Sequence, residues 1–232
     1  MLDQTKKPKR QGWKQNPEAV QENILNAALE EFSQRGFASG SINVIADKTA
    51  TSKRMIYYYF GDKEGLYRKV IDKAYQDMRE GEAKLNLDVS DPVAAMRKLI
   101  KFTFEHHAEQ QDFIRLVMIE NIHRAKHLAS KEKFAEINAL AIARVNEIYN
   151  AGVTQQVFRT GLSPAQIHWQ ISAMCFFNVS NKATFSAAFG DDLFSHDGQQ
   201  QLCRSIQNTV LAFLEYDPEQ SETRGLSDKT NS

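Results

Sequence analysis

Residues 41–67 read SINVIADKTATSKRMIYYYFGDKEGLY, and this stretch decides the fold. Ser41 is placed to cap a short helix running to about Lys48, with Ile42, Ile45 and Ala46 turned inward. Thr49-Ala50-Thr51 reads as a turn. Ser52 opens a third helix, Lys53 to Phe60, which Gly61 ends, and Asp62 caps a fourth that runs through Leu66 and Val70 toward about Leu85. Upstream, Asn16-Pro17-Glu18 has the order of an N-cap, a first-turn proline and a first-turn acid. Val20, Ile24, Ala28 and Phe32 follow at four-residue steps, and Arg35-Gly36 closes that helix. Two short helices joined by a tight turn and propped by a longer one make a helix-turn-helix, whose second helix enters the DNA major groove.

The residues on that second helix suit the task. Ser52, Lys53, Arg54 and Met55 occupy its N-terminal end, the end that reaches base edges, and a lysine or arginine there can grip guanine O6 and N7. Tyr57-Tyr58-Tyr59-Phe60 cannot all be core, because three successive helical positions span about 200°. Tyr59 and Phe60 are expected inward and Tyr57 and Tyr58 outward, where hydroxyls meet phosphate and rings meet thymine methyls. Lys63 places a cation in the first turn of the fourth helix, against the macrodipole, which makes sense if a phosphate docks there.

The Ile45-Ala46 pair, the Ser52-Lys53 opening, the Tyr-x-Tyr-Phe run and the Lys63-Glu64 pair resemble the N-terminal module of TetR-family repressors over about residues 17–70. One departure is Ala50, where the family usually has glycine; alanine in a left-handed conformation costs about 1 kcal/mol. The resemblance implies an all-α protein: a three-helix DNA-binding domain followed by a helical domain for ligand binding and dimerisation. It implies a homodimer on a palindromic double-stranded operator, with Ser41, Ser52, Lys53, Arg54, Met55, Tyr57, Tyr58 and Lys63 at the DNA, and release when a small-molecule effector binds.

The expected organisation is a basic tail over 1–15, the helix-turn-helix over 16–62, the helical domain over 63–216 and a polar tail over 217–232. Beyond the break at 86–90, helices are expected from Asp91-Pro92 to about His107, from about Asp112 to His127, and from Ser130 to Asn150. A loop should span 152–161, a long helix should run from Ser163-Pro164 to about Phe189, and the last from Gln199 to Glu215. Phe102, Phe104, Phe113, Met118, Ile122, Phe134, Trp169, Met174, Phe176 and Phe177 are mostly core by default. Aromatic and methionine side chains with isolated polar groups among them also suit a small-ligand pocket. The pocket is expected between the helices that start near Asp91, Asp112, Ser130 and Ser163. His107, Arg115, Met118, Asn121, Phe176, Asn178 and Asn181 are its candidate lining, with Arg115 the best group for an anionic substituent.

The last two helices carry apolar stripes at helical period: Ile167, Ile171, Cys175, Val179 and Thr184 on one, and Leu202, Ile206, Val210, Phe213 and Leu214 on the other. Family members pair through these helices. A four-helix dimer bundle is expected, with Ile171, Cys175, Leu202, Ile206, Val210 and Phe213 at the interface.

Composition sets the outer bounds. Of 232 residues, 42% are hydrophobic, enough for a sizeable core. The formal charge is zero, but residues 1–16 carry five basic side chains against Asp3, a net of +4, and residues 17–75 balance, so the remainder carries −4. A polyanion therefore meets the front of the chain. Two cysteines without metal spacing, no secretory signal and no apolar run near the ~20 residues of a membrane span lead to the expectation of a cytoplasmic protein without cofactor or membrane association.

Two rival readings have residues behind them. Glu120-x-x-His123 has the spacing of carboxylate-bridged di-iron bundles but no second such pair, and His123-x-x-x-His127 places two imidazoles on one helix face without an evident third ligand. An all-helical metal-binding enzyme is thus an alternative, as is a DNA-binding regulator without a small-molecule ligand. No phosphate loop, nucleophile elbow or Cys–His pair occurs, so no enzymatic activity is expected.

Overall fold

The computed structural model describes residues 16–128 and 131–215, and within them the regular elements are helices. The two tails and the Ser130 cap lie outside the described residues. The chain divides into two units, Met1–Val70 and Ile71–Ser232.

In the first unit, α1 (Pro17–Ser39) starts where Asn16 accepts a hydrogen bond from the Ala19 N–H at 3.1 Å. Its helical geometry breaks at Gly36, whose φ of 70° is left-handed territory open to a residue without Cβ. α2 (Ile42–Lys48) and α3 (Lys53–Phe60) follow. Ile24, Ala28, Phe32, Ile45, Ile56, Leu66 and Tyr67 have no exposed surface and form the core. Tyr67 lies edge-on to Phe32 with ring centres 5.0 Å apart. That contact is why the first unit reaches Val70 and does not stop at residue 62: α4 (Lys63–Ala83) gives its first two turns to this core. Ser41 makes no side-chain cap. Its backbone N–H donates instead to the carboxylate of buried Glu31, at 3.0 Å.

In the second unit, α5 (Pro92–Glu109) packs on α7 (Lys131–Thr154), α8 (Pro164–Ser180) and α10 (His196–Leu214). Its stripe of Ala95, Met96, Leu99, Ile100 and Phe104 joins Val145, Ile148, Ile167, Ile171, Cys175, Ile206 and Val210 in one core. A second cluster holds Ala74, Phe113 and Ile114, with Phe113 and Ile114 on α6 (Gln111–Ile122).

Three helix limits differ from the sequence reading. α6 stops at Ile122 and not His127, because Arg124 and Ala125 turn to φ 57° and the Glu120 carboxylate captures both the backbone N–H and Nδ1 of His127. His123 and His127 therefore do not share a helix face. α7 runs through Gly152 to Thr154, where a loop was expected to begin at 152; the Phe158 ring packs directly on Gly152, space that a Cβ would occupy. The long helix breaks at Asn181 into α8 and α9 (Lys182–Phe189), and a 3-10 turn, Asp192–Phe194, precedes α10. No helix among the described residues is long and apolar enough to cross a membrane.

Candidate nucleic-acid interface and effector cavity

The face of α3 is organised by one buried residue. Ile56 anchors the helix, and Lys53, Arg54, Tyr57 and Tyr58, at helical spacings of one, four and five, lie exposed on the opposite side. Tyr58 is 77% exposed and Tyr57 42%, whereas Tyr59 and Phe60 are half-buried, as the helical spacing requires. Ser52 is exposed and its Oγ accepts from the Met55 N–H at 3.2 Å, so the serine that fronts the helix also fixes its start. Met55 is half-buried beside it. Lys53 and Arg54 make no ion pair among the described residues, leaving two cations and two phenols exposed on one helix. Ser41 is half-buried at the start of α2. Lys63 donates to the Ala38 carbonyl at 3.0 Å, and its ammonium stands 5.2 Å from the Phe37 ring centre. The cation placed against the α4 dipole therefore already has partners at the end of α1.

The second unit contains a cavity of about 320 Å³ among α4, α5, α6, α7 and α8. Tyr75, Phe113, Trp169 and Phe176 give it aromatic walls, and Arg79, His107, Asn121, Asn138, His168 and Ser172 its polar groups. Tyr75 meets Phe113 edge-on at 5.1 Å. His107 is buried, 6.3 Å from Phe113 and 6.5 Å from Phe176 between ring centres. Burial holds the His107 ring down to about 4, helped by neighbouring His106, against a hydrogen bond with the Cys175 main chain that works the other way. Burial likewise brings His168 to about 4, with the Arg79 charge adding to it, so both rings are neutral near pH 7. Burial lifts the Tyr75 phenol to about 12. Arg79 pairs with Glu82 at 2.6 Å, both buried; burial lowers the guanidinium and raises the carboxyl. Two buried nitrogens of this lining, Arg79 Nε and His107 Nδ1, have no hydrogen-bond partner among the described residues.

The sequence is similar to known proteins along most of its length. Residues 24–70 match the family model described as bacterial regulatory proteins, tetR family, and residues 92–210 match the tetracyclin repressor-like C-terminal domain. The chain belongs to the TetR family. It is 32% identical over 200 residues to the HTH-type transcriptional repressor NicS of Pseudomonas putida, covering 86% of this chain and 94% of that one. Among solved structures it is similar to a TetR-family transcription regulator of Marinobacter aquaeolei (TM-score 0.66, 15% identity, 87% of this chain and 98% of that chain). It is also similar to AibR, solved with isovaleryl coenzyme A and operator DNA (TM-score 0.60, 16% identity, 83% and 98% covered). At these identities the two structures establish the fold.

Within this TetR-family regulator, the expected pocket lining divides. His107, Asn121 and Phe176 line the cavity. Arg115 does not: it is exposed on α6, on the side away from buried Ile114 and Leu116, so the guanidinium at the cavity is that of Arg79. Met118 packs against the Phe113 cluster and lies outside the lining. Asn178 faces α10, where its amide and that of Gln199 exchange hydrogen bonds of 2.8 and 3.0 Å. Trp169, Phe177 and Ile122, expected in the core, are 70%, 54% and 75% exposed.

The expected dimer residues need the largest correction. Ile171, Cys175, Ile206 and Val210 lie inside the subunit's own core, 4% exposed or less, because their stripes face α5 and each other. Phe213 is half-buried against the same core, with the Arg159 guanidinium 4.8 Å from its ring centre. Of these residues Leu202 and, at the floor, Ile206 border an open surface. That surface is an apolar groove of about 490 Å³ with Ala173, Met174, Phe177, Phe185, Leu193, Phe194 and Thr209.

Sequence reasoning missed Tyr75, Arg79, Asn138, His168 and Ser172. Their signal is faint: Tyr75 and Arg79 are four apart on α4 and His168 and Ser172 four apart on α8, so each pair shares a face.

Proposed function

We propose that this chain is a homodimeric transcriptional repressor that binds a palindromic operator through α3 and releases it when a small molecule occupies the α4–α8 cavity. The observation that carries the reading is the exposed Lys53-Arg54-Tyr57-Tyr58 face on a helix held by buried Ile56. Ser52, Lys53, Arg54 and Met55 read base edges, Tyr57, Tyr58 and Lys63 hold phosphates, and Ser41 fronts the neighbouring helix at the backbone. The repressor role of NicS supports regulation by occlusion. The DNA-binding domain is assigned to 16–62 extended by the first turns of α4, and the effector and dimerisation domain to the remainder through 216. The partner subunit is assigned to the α8–α10 groove around Phe177 and Leu202, and the working compartment is the cytoplasm. An effector must bind the released state better than the DNA-bound one, and a difference of roughly 1–3 kcal/mol weakens operator affinity about 5- to 150-fold.

Selection of bound DNA from random sequence tests the reading. The expected product is an inverted repeat whose half-sites are spaced for successive major grooves. Lys53→Ala and Arg54→Ala should change the selected bases without lowering the melting temperature. Recovery of no consensus, or of the same consensus by both variants, would refute the assignment of α3.

A further inference from the structure

We infer that the second subunit lies along the Trp169–Ala173–Phe177 ridge of α8 and closes the mouth of the α4–α8 cavity, so that the effector site is complete only in the dimer. This rests on the homodimer and the effector cavity proposed above. Ala173 lines both the cavity and the apolar groove assigned to the partner, so the two are neighbours across one helix. Trp169, one turn before it, lines the cavity and is 70% exposed. Phe177, one turn after it, lines the groove and is 54% exposed. Asn121 on α6 is the other exposed residue of the described cavity lining, which places the mouth between α6 and α8.

The occupant is a second copy because of what the ridge lacks. From Thr160 to Asn181 the sequence has no Asp, Glu, Lys or Arg, in a chain that is 25% charged. Exposed aromatic rings without charges among them are the composition of an interface core, not of a wetted helix face. A partner with a charged face would strand its charges against this ridge, whereas a copy of the same ridge brings none. Side chains at i, i+4 and i+8 form the kind of ridge along which helices interdigitate, and Ala173 between two rings is the low point where a second helix approaches. The ridge is continuous with the α8–α10 groove through Ala173 and Phe177. Trp169 is one further turn along, about 6 Å, so a subunit seated in the groove reaches the cavity mouth without a second patch.

Two accessibility measurements on the full chain decide it. Trp13 and Trp169 are the two tryptophans, so Trp13→Phe leaves Trp169 as the sole reporter. Acrylamide quenching of its fluorescence is compared in the Trp13→Phe dimer and in the same chain carrying Phe177→Glu, with sedimentation of the same samples. Dilution of the Trp13→Phe dimer through its dissociation supplies the monomer independently of the second substitution. Quenching is expected to be at least about threefold weaker in the dimer, because an interface core excludes solvent. The second measurement probes the cavity itself. Ser172→Cys in a Cys203→Ser chain places a thiol in the lining, and the remaining Cys175 is fully buried. Its labelling by N-ethylmaleimide is expected to be at least about tenfold slower in the dimer than in the Phe177→Glu monomer, since the reagent must wait for the closed mouth to open. Equal quenching or equal labelling, in a dimer and a monomer verified by sedimentation, overturns this inference and leaves the groove assignment standing. A Phe177→Glu chain that remains a dimer, or a full chain that never dimerises, overturns the groove assignment and this inference together.

Discussion

The Lys63 ammonium stands 3.0 Å from the Ala38 carbonyl oxygen and 5.2 Å from the centre of the Phe37 ring. One side chain at the start of α4 thus closes the end of α1, and its charge against the α4 dipole is offset by a carbonyl dipole and a ring face. A phosphate contact becomes a second task for the same ammonium, through its remaining N–H groups.

Lys63→Ala separates the two tasks. Loss of the Ala38 bond should lower the stability of the free protein by about 0.5–1.5 kcal/mol. Loss of a phosphate contact should weaken binding to all sequences alike and reduce the salt slope by about one counterion. A variant that melts earlier but keeps its salt slope would leave Lys63 a purely structural residue.

Ala50 holds φ 50° in the turn between α2 and α3. Ala50→Gly should relieve part of that strain and raise stability by about 0.5–1 kcal/mol, read as the midpoint of denaturant unfolding. A lower midpoint would show that the turn is unstrained in solution and that the added backbone freedom of the unfolded chain dominates.

The two sides of the α8–α10 pair should respond oppositely to charge. Val210→Glu places an unpaired carboxylate in the subunit core, at a cost above about 3 kcal/mol, and should fail to fold. Phe177→Glu, on the half-exposed rim of the groove, should fold with nearly unchanged melting, sediment as a monomer and lose specific DNA binding. A Phe177→Glu dimer would move the interface elsewhere.

His107 and His168 are both held to about 4 in the folded chain, below the ordinary value near 6.5. Between those limits the unfolded chain binds protons that the folded one does not. Stability is therefore full above about pH 6.5 and falls as pH drops toward 4, by at most about 1.4 kcal/mol per pH unit for each ring. Chemical denaturation across pH 4–7 measures the slope, and His107→Leu should flatten it. An unchanged slope in that variant would show that His107 is not held neutral.

Local chemistry made most of the first unit readable. Asn16, Ser52, Gly61 and Asp62 act on residues within four positions, so cap and stop signals sit beside what they control. The limits of α6 and of the long helix could not be read that way. α6 ends where Glu120 folds back on His127, a choice between two hydrogen-bonding arrangements that apolar spacing does not encode. The stripes through Ile171 and Ile206 announced an apolar face but not its owner, since core and partner impose the same period. Arg79 and Glu82, three apart on a helix, have the spacing of an exposed ion pair; burial on the cavity side is a property of the packed helices.

Asn178 and Gln199 exchange two amide hydrogen bonds between α8 and α10, and Asn178 is buried. Replacing one amide by an apolar side chain strands the other, whereas replacing both by a matched apolar pair is nearly neutral. Drift through single changes is thus closed at these two sites while a double change is open. Across diverged relatives the pair should be inherited as a unit, and its covariation would be a record, readable without any structure, that these two helices touch.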